Sequence, residues 1–518
     1  WDKSLNEHEL NVLLGHEFYS HNSQYSTASG EGIMQLGQYE LSSTTKNWSV
    51  GSYRNRYALL SFFGKAEYNF DNKYYLSGSF RRDGSSRFSK QSRWGNFFSV
   101  GGSWRISKES FMQNVKWMDN LALRASYGTS GNDKLILRST SNGSAMGGEI
   151  LYAYQGYYDS DDLYGQAGYK PTSVATPNLK WEQNQQFNAA LDFSLFNRLS
   201  GTIEYYSRDA KDLLYYKSLP LSAQVGNAEG INTNLGNVRN SGFEFTLSAS
   251  VLRSSDFQWD IDANFSTLKN EVTYLPGGAY TYSNRVATYK IEEGKSIYEF
   301  YMAKNAGVNP DNGNMRYWIK DGNNGWKTTE NYSEVKTSDY QYVGSSIPKA
   351  FGSLTNSFKY RDFDFSFMWY ASFGSKMFDY VYLERTTVRN GVGIIQDLVE
   401  GNVWMKPGDQ AKFPRWSASN YGDTRRASDF YLFNNDYFRL RNLTIGYTLP
   451  KTLMNRSGIS HARIYITGDN LLTFGPAAAR YTEPETGVQG NNYNGNANTD
   501  NGIQGSRRVY MAGIQVTF

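Results

Sequence analysis

Cysteine is absent from the 518-residue sequence, histidine occurs four times, proline eleven times, and no apolar run reaches the length a membrane helix needs. Without cysteine there is neither a disulfide framework nor thiolate chemistry. The histidines, His8, His16, His21 and His461, show no zinc-type spacing. No G-x-S-x-G elbow, phosphate-binding loop or Rossmann glycine pattern is present, so the sequence does not read as an enzyme. Charge of one sign is lacking too. Lys and Arg number 53 against 49 Asp and Glu, a net charge of +4, too small to imply a nucleic-acid partner, and the basic residues are scattered, so none is expected.

Aromatic residues are abundant: 41 Tyr, 30 Phe and 12 Trp, beside 49 Gly. They recur at a period of two. In the last residues, Tyr510, Ala512, Ile514, Val516 and Phe518 share one face, while Gln515 and Thr517 lie on the other. Leu10, Val12, Leu14 and Phe18 alternate with Asn11, Gly15 and Glu17. Phe257, Trp259, Ile261, Ala263 and Phe265 alternate with Gln258, Asp260, Asp262 and Asn264. The same pattern marks 60–70, 74–81, 98–106, 121–128, 187–195, 199–205, 243–249, 354–358, 363–369 and 464–466; Tyr437, Leu443, Ile445, Tyr447 and Leu449 are read as one more strand face.

One apolar and one polar face per strand, aromatics at the strand ends and no apolar helix together describe a membrane β-barrel. Its strands escape a mean-hydropathy test because every second residue is polar. About fourteen strands near the ten-residue spanning length are expected. Short connections fall at 71–73, 107–119, 196–198, 253–256, 360–362 and 450–461; long ones fall at 21–56, 129–186, 212–241, 268–350, 374–436 and 470–508. Short periplasmic turns and long extracellular loops are the asymmetry of an outer-membrane barrel. The fold class expected is therefore all-β, a transmembrane antiparallel β-barrel.

Several stretches resemble one family. They are Tyr74-Tyr-Leu-Ser-Gly-Ser-Phe-Arg-Arg-Asp-Gly-Ser-Ser-Arg-Phe88, Ser103-Trp-Arg-Ile-Ser107, Leu123-Arg-Ala-Ser-Tyr-Gly-Thr-Ser-Gly-Asn132, Leu179-Lys-Trp-Glu182, Asn237-Val-Arg-Asn-Ser-Gly-Phe-Glu-Phe245 and Asp469-Asn-Leu-Leu-Thr-Phe474. Together with the terminal strand they resemble SusC/RagA-like TonB-dependent transporters. The resemblance implies outer-membrane import of glycans or peptides in a Gram-negative bacterium, with a SusD-like surface lipoprotein and the TonB complex as partners. It also implies that residues 1–518 are the C-terminal part of a 22-stranded plugged barrel, and that the plug, the TonB-contacting segment and the first strands belong to the rest of the gene product. A siderophore or cobalamin receptor and a non-transporting adhesin or scaffold are the alternatives.

Candidate site residues follow. Arg81, Arg105 and Arg124 fall on lumen faces, either as plug and substrate contacts or as a hydrated wall. Tyr152, Tyr154, Tyr157 and Tyr158 crowd one long loop and Trp318 and Trp326 another; they are candidates for substrate stacking or for loop packing. Asp83-Gly-Ser-Ser-Arg-Phe88 is expected to shape a turn just outside a strand end. Asp159, Asp161 and Asp162 could gather oxygens for a structural Ca²⁺, as could Asp311-Asn-Gly-Asn314, although neither completes an EF-hand loop. Tyr510 and Phe518 are expected to serve barrel closure and assembly. His16 lies on an apolar face near a strand end, with no partner suggesting catalysis.

Overall fold

Alternating aromatic or β-branched residues with Ser, Thr, Asn and Asp favour a half-buried extended backbone. The chain builds a sixteen-stranded antiparallel sheet from them. The computed structural model describes residues 1–33, 37, 40–135, 151–219, 221–224, 230–284, 287–322, 325–387, 393–394, 396–416, 428–450, 452, 458–476, 482–485 and 506–518. Setting aside the short strands Asp2–Leu5 and Lys269–Tyr274, fourteen long strands remain. They are β1 (His8–Glu31), β2 (Lys46–Phe70), β3 (Tyr74–Ser85), β4 (Trp94–Arg105), β5 (Met118–Asn132), β6 (Glu182–Leu195) and β7 (Leu199–Lys211). Then come β8 (Asn237–Arg253), β9 (Phe257–Thr267), β10 (Ala350–Tyr360), β11 (Phe363–Phe373), β12 (Tyr437–Thr448), β13 (His461–Phe474) and β14 (Val509–Thr517). Each pairs with the next, an up-and-down meander.

Tight turns join the strands on the periplasmic side. In the three-residue loop 71–73, Asp71 and Asn72 take positive φ (52° and 53°), the left-handed geometry that Asp and Asn tolerate. The chain packs as two compact units. One comprises Trp1–Gly102, Ser126–Gln186 and Ala210–Gly236; the other comprises Ser103–Ala125, Phe187–Asp209 and Asn237–Phe518.

Register carries the two faces across neighbouring strands in the second unit. Phe245, Phe265, Gly352, Ala371, Phe438 and Phe474 stand opposite one another in turn from β8 to β13. Towards the other end, Trp259, Phe358, Phe365, Ile445, Ile466 and Ala512 form a second apolar row. Between the same strands, Ser250, Asp260, Ser357, Ser366, Thr444 and Thr467 form a polar row on the opposite face. The apolar side chains face outward, Ile514 being 68% exposed and Ile466 61% exposed, as a lipid-facing surface requires. Asn356 is a polar member of that face, and it accepts from Trp259 Nε1 at 3.0 Å. In the first unit, Val12, Ala66 and Gly78 share one row, and Glu17, Ser61 and Asp83 a row on the other face.

Three expectations change. The connection at 21–56 is mostly strand: β1 continues to Glu31 and β2 begins at Lys46, paired with each other almost throughout. Its Ser, Asn, Thr and Tyr residues lack an apolar face because this part of the ribbon extends past the length a membrane strand needs. His16 consequently lies inside β1, opposite Phe62. Tyr437 does not share a face with Leu443. A bulge between Leu440 and Asn442 adds one residue, so Phe438 and Leu440 take the lipid side and Tyr437 and Arg439 the lumen side. The connections expected at 268–350 and 374–436 carry further sheets and short helices at their described residues. Strands Tyr280–Asn284, Ala287–Ile291, Glu299–Met302 and Gln341–Ser345 form one small sheet, and Asn305–Val308, Met315–Asp321 and Gly325–Thr329 another. Tyr289, Phe300 and Met302 pack with Phe378, Leu383 and Tyr431 in a shared core.

Candidate functional site

On the lumen face of the first unit, Arg81 donates to Asp83 (2.7 Å), Ser61 (2.9 Å) and Glu17 (3.0 Å), with its guanidinium over the Phe63 ring. In the second unit, Arg124 of β5 bridges Asp192 of β6 (2.8 Å) and Glu204 of β7 (3.0 Å), and Thr202 also donates to Asp192. Arg81 pairs with a carboxylate of its own strand and one two strands away, and Arg124 with carboxylates one and two strands away, so both charges are neutralised within the wall. Arg105 lies at the periplasmic end of β4, where the chain enters the short 3-10 turn Ile106–Lys108.

The stretch expected outside a strand is partly inside one: Asp83, Gly84 and Ser85 end β3. Its side chains point to other elements. Ser85 Oγ donates to Asp133 at 2.6 Å, Tyr57 donates to the same carboxylate at 2.9 Å, and the Arg87 guanidinium lies 4.6 Å from the Tyr57 ring centre. Phe88 is fully buried against Leu135, Ala153, Leu179 and Trp181. Glu182, also buried, accepts from Asn132, Asn184 and the Leu214 backbone. Three separated motifs thus meet in one buried cluster at the outer strand ends, pinning the loops that leave them.

Tyr152, Tyr154 and Tyr157 come together nearby in sequence. Tyr152 donates to the Arg56 carbonyl and packs edge-on to Tyr154 at 6.4 Å. Burial, followed by the neighbouring phenols Tyr152 and Tyr154, raises the Tyr157 hydroxyl above its usual pKa. Tyr158 is separate and 65% exposed, at the start of the hairpin Tyr158–Leu163 with Gln166–Pro171. Trp318 and Trp326 share the outer face of their three-stranded sheet, on diagonal positions flanking Lys320, while Met315 and Tyr317 face the core. The side chains of Asp159, Asp161 and Asp162 lie outside the described residues. Asp311–Asn314 is braced internally: Asn309, Asn312 and Asn314 amides donate to Glu330. Burial alone would raise Glu330, yet these donors and Arg316 hold its carboxyl below the usual range. Tyr510 and Phe518 are highly exposed on the lipid side of β14, at its outer end and just past its periplasmic end.

Two constellations escaped the sequence reading. On the outer face of a small sheet, Lys290 pairs with Glu292 at 2.7 Å and lies over the rings of Tyr301 and Tyr342. Burial and the hydrogen bond to Glu292 push the Tyr342 hydroxyl up to about 12. The second joins Arg439 and Arg441 of β12 to Glu483 and Glu485. No local pattern announces either, because Tyr342 lies 50 positions from Glu292 and Glu483 lies 44 positions from Arg439.

A meander of spanning strands with a lipid-facing aromatic side, an ion-paired polar side and folded outer connections defines an outer-membrane β-barrel wall. A family model described as TonB dependent receptor-like, beta-barrel, matches residues 2–471, and the chain belongs to that family. It is 28% identical, over 100% of its length, to 51% of TonB-dependent receptor P3 of Formosa agariphila. It is 27% identical, over 95% of its length, to 48% of TonB-dependent receptor SusC of Bacteroides thetaiotaomicron. Among solved structures, the RagAB peptide importer in its closed-closed state superposes on 100% of the chain and 54% of its own, with TM-score 0.83 and 25% identity. The chain spans about half the length of the relatives it matches. Its place is the outer membrane of a Gram-negative bacterium.

Proposed function

We propose that this chain is the C-terminal wall of a SusC-like TonB-dependent transporter that imports glycans or peptides. The observation that carries the reading is the likeness to SusC and to the RagAB peptide importer over essentially the whole chain. The plug, the TonB-contacting segment and the first barrel strands lie in the remainder of the gene product, and a SusD-like lipoprotein caps the outer face. Substrate meets the folded outer connections, with Tyr152, Tyr154, Tyr157, Tyr158, Trp318 and Trp326 as stacking contacts. Arg81, Arg105 and Arg124 face the lumen and the plug. The role is transport, not catalysis. Deleting the gene in its own bacterium, and separately the neighbouring lipoprotein gene, tests it. Growth on oligosaccharides or on peptides as sole nutrient should fall in both strains; unchanged growth and uptake on every such source would refute the import role.

A further inference from the structure

The guanidinium of Arg439 is 2% exposed although it sits on the lumen face of a barrel strand. What covers it is the chain's own segment Thr482-Glu483-Pro484-Glu485. Arg439 Nη2 donates to Glu483, its Nη1 lies 3.2 Å from Glu485, and its Nε donates to Thr473 at 2.9 Å. Arg441, the bulge residue, reaches the other oxygen of Glu485 at 2.7 Å. Three more contacts fix the segment's backbone and ends. Asn435 donates to the Pro484 carbonyl at 2.9 Å, Thr482 donates to Asp379 at 2.8 Å, and the Ser506 amide donates to Glu483 at 3.1 Å. Aromatic rings back both cations: Arg441 lies over Tyr370 at 5.1 Å and Arg439 over Tyr437 at 5.8 Å.

Two guanidiniums, two aromatic rings and an amide donor therefore surround a four-residue acidic peptide. The planar fork of arginine matches carboxylate geometry, and the Asn435 amide recognises a main-chain carbonyl between the two acids. The wall reads a peptide with carboxylates two positions apart, and the chain supplies one. Arg439 and Arg441 stand two positions apart on β12, and both guanidiniums reach the carboxylate of Glu485.

We propose that Arg439 and Arg441 form a dicarboxylate-reading subsite on the lumen wall, filled at rest by Glu483-Pro484-Glu485, and that an imported acidic peptide of the same spacing displaces that segment. The inference rests on the import reading and names its substrate class as acidic peptide. A tethered segment competes at an effective concentration near about 1 mM, so the subsite opens only to a ligand that makes further contacts or is itself concentrated.

The test uses the full-length transporter in detergent. The probe is acetyl-Thr-Glu-Pro-Glu-Thr-amide, with the Thr-Gln-Pro-Gln-Thr peptide as control. In the double variant Glu483→Gln, Glu485→Gln, the acidic peptide should bind at least about tenfold more tightly than to the parent protein, a factor any calorimetric titration resolves. The glutamine peptide should not. Equal affinity of the assembled variant for both peptides, or for an oligogalacturonate in place of the peptide, overturns the proposal. A second arm needs no loss of the glutamates. Pro484→Cys places a thiol within residues 1–518, which hold none, and labelling at position 484, read from the mass of its peptide, should accelerate when the acidic peptide is added and stay constant with the glutamine peptide. No acceleration with a saturating acidic peptide overturns the displacement. Both readouts are independent of TonB, so binding without uptake would count against the import reading alone.

Discussion

Gly242 of β8 shows how little room a single residue has in this wall. A Cβ there would stand 1.9 Å from the Thr267 carbonyl oxygen, a backbone atom that cannot swing aside. Gly78 is different, since its nearest atom, the Ser99 carbonyl oxygen, would lie at 4.0 Å. Gly242→Ala should therefore destabilise the barrel by about 1–3 kcal/mol, the usual range for overpacking, while Gly78→Ala should be close to neutral. Urea midpoints of the two variants refolded into lipid provide the comparison; equal midpoints would contradict the close approach. At the chain's last residue, Phe518 extends 88% exposed beyond β14. Removing it should lower the amount of protein in the outer membrane more than it lowers uptake per assembled molecule, and immunoblots of membrane fractions normalised to uptake measure both.

At the scale of an element, the outer sheet Asn305–Val308, Met315–Asp321 and Gly325–Thr329 depends on one carboxylate. Glu330 accepts from three asparagine amides, and its folded pKa is depressed despite burial. A depressed carboxylate contributes stability above its unfolded pKa of about 4.3 and loses it as pH falls through the folded value. Amide protection factors in residues 305–322 and 325–330, corrected for the intrinsic pH dependence of exchange, should thus stay high at neutral pH and fall as the pH drops below about 4. Glu330→Gln should remove that pH dependence; an acid-induced loosening identical in the variant would assign it elsewhere. Elements also explain where pattern reading slipped. Alternation assumes an unbroken register, and the bulge in β12 turns Tyr437 to the lumen although the residues after it obey the rule. The β1–β2 ribbon continues past Phe18 because backbone pairing persists after the apolar face has ended. Hydrogen bonds between strands need no hydrophobic pattern.

For the whole molecule, the two-faced wall makes a sharp demand. Ile466 points to lipid and its neighbour Thr467, which donates to the Leu443 carbonyl, points to the lumen. Ile466→Arg should cost about 2–4 kcal/mol, the penalty for arginine near the bilayer midplane, while Thr467→Arg should avoid that lipid penalty because its side chain lies on the polar face. Unfolding titrations from phospholipid vesicles give both values; a larger penalty at Thr467 would invert the assignment of faces. The outer connections answer to another solvent. They fold around Tyr289, Phe300, Met302 and Phe378 as a water-soluble core does, so substitutions there should be felt as cavities and not as lipid mismatches.

The sequence alone determined the strand count, the apolar and polar sides of most strands and the alternation of short and long connections. Those properties are local: a period of two and a turn residue are written in consecutive positions. It also marked the motif stretches that carry the family resemblance. Tertiary structure alone decided which charges meet. Arg124 chose Asp192 and Glu204, Ser85 and Tyr57 converged on Asp133, and Arg439 found Glu483 and Glu485 more than forty residues away. An ion pair depends on inter-strand register, on bulges and on where a loop folds back, and none of these is a property of neighbouring residues.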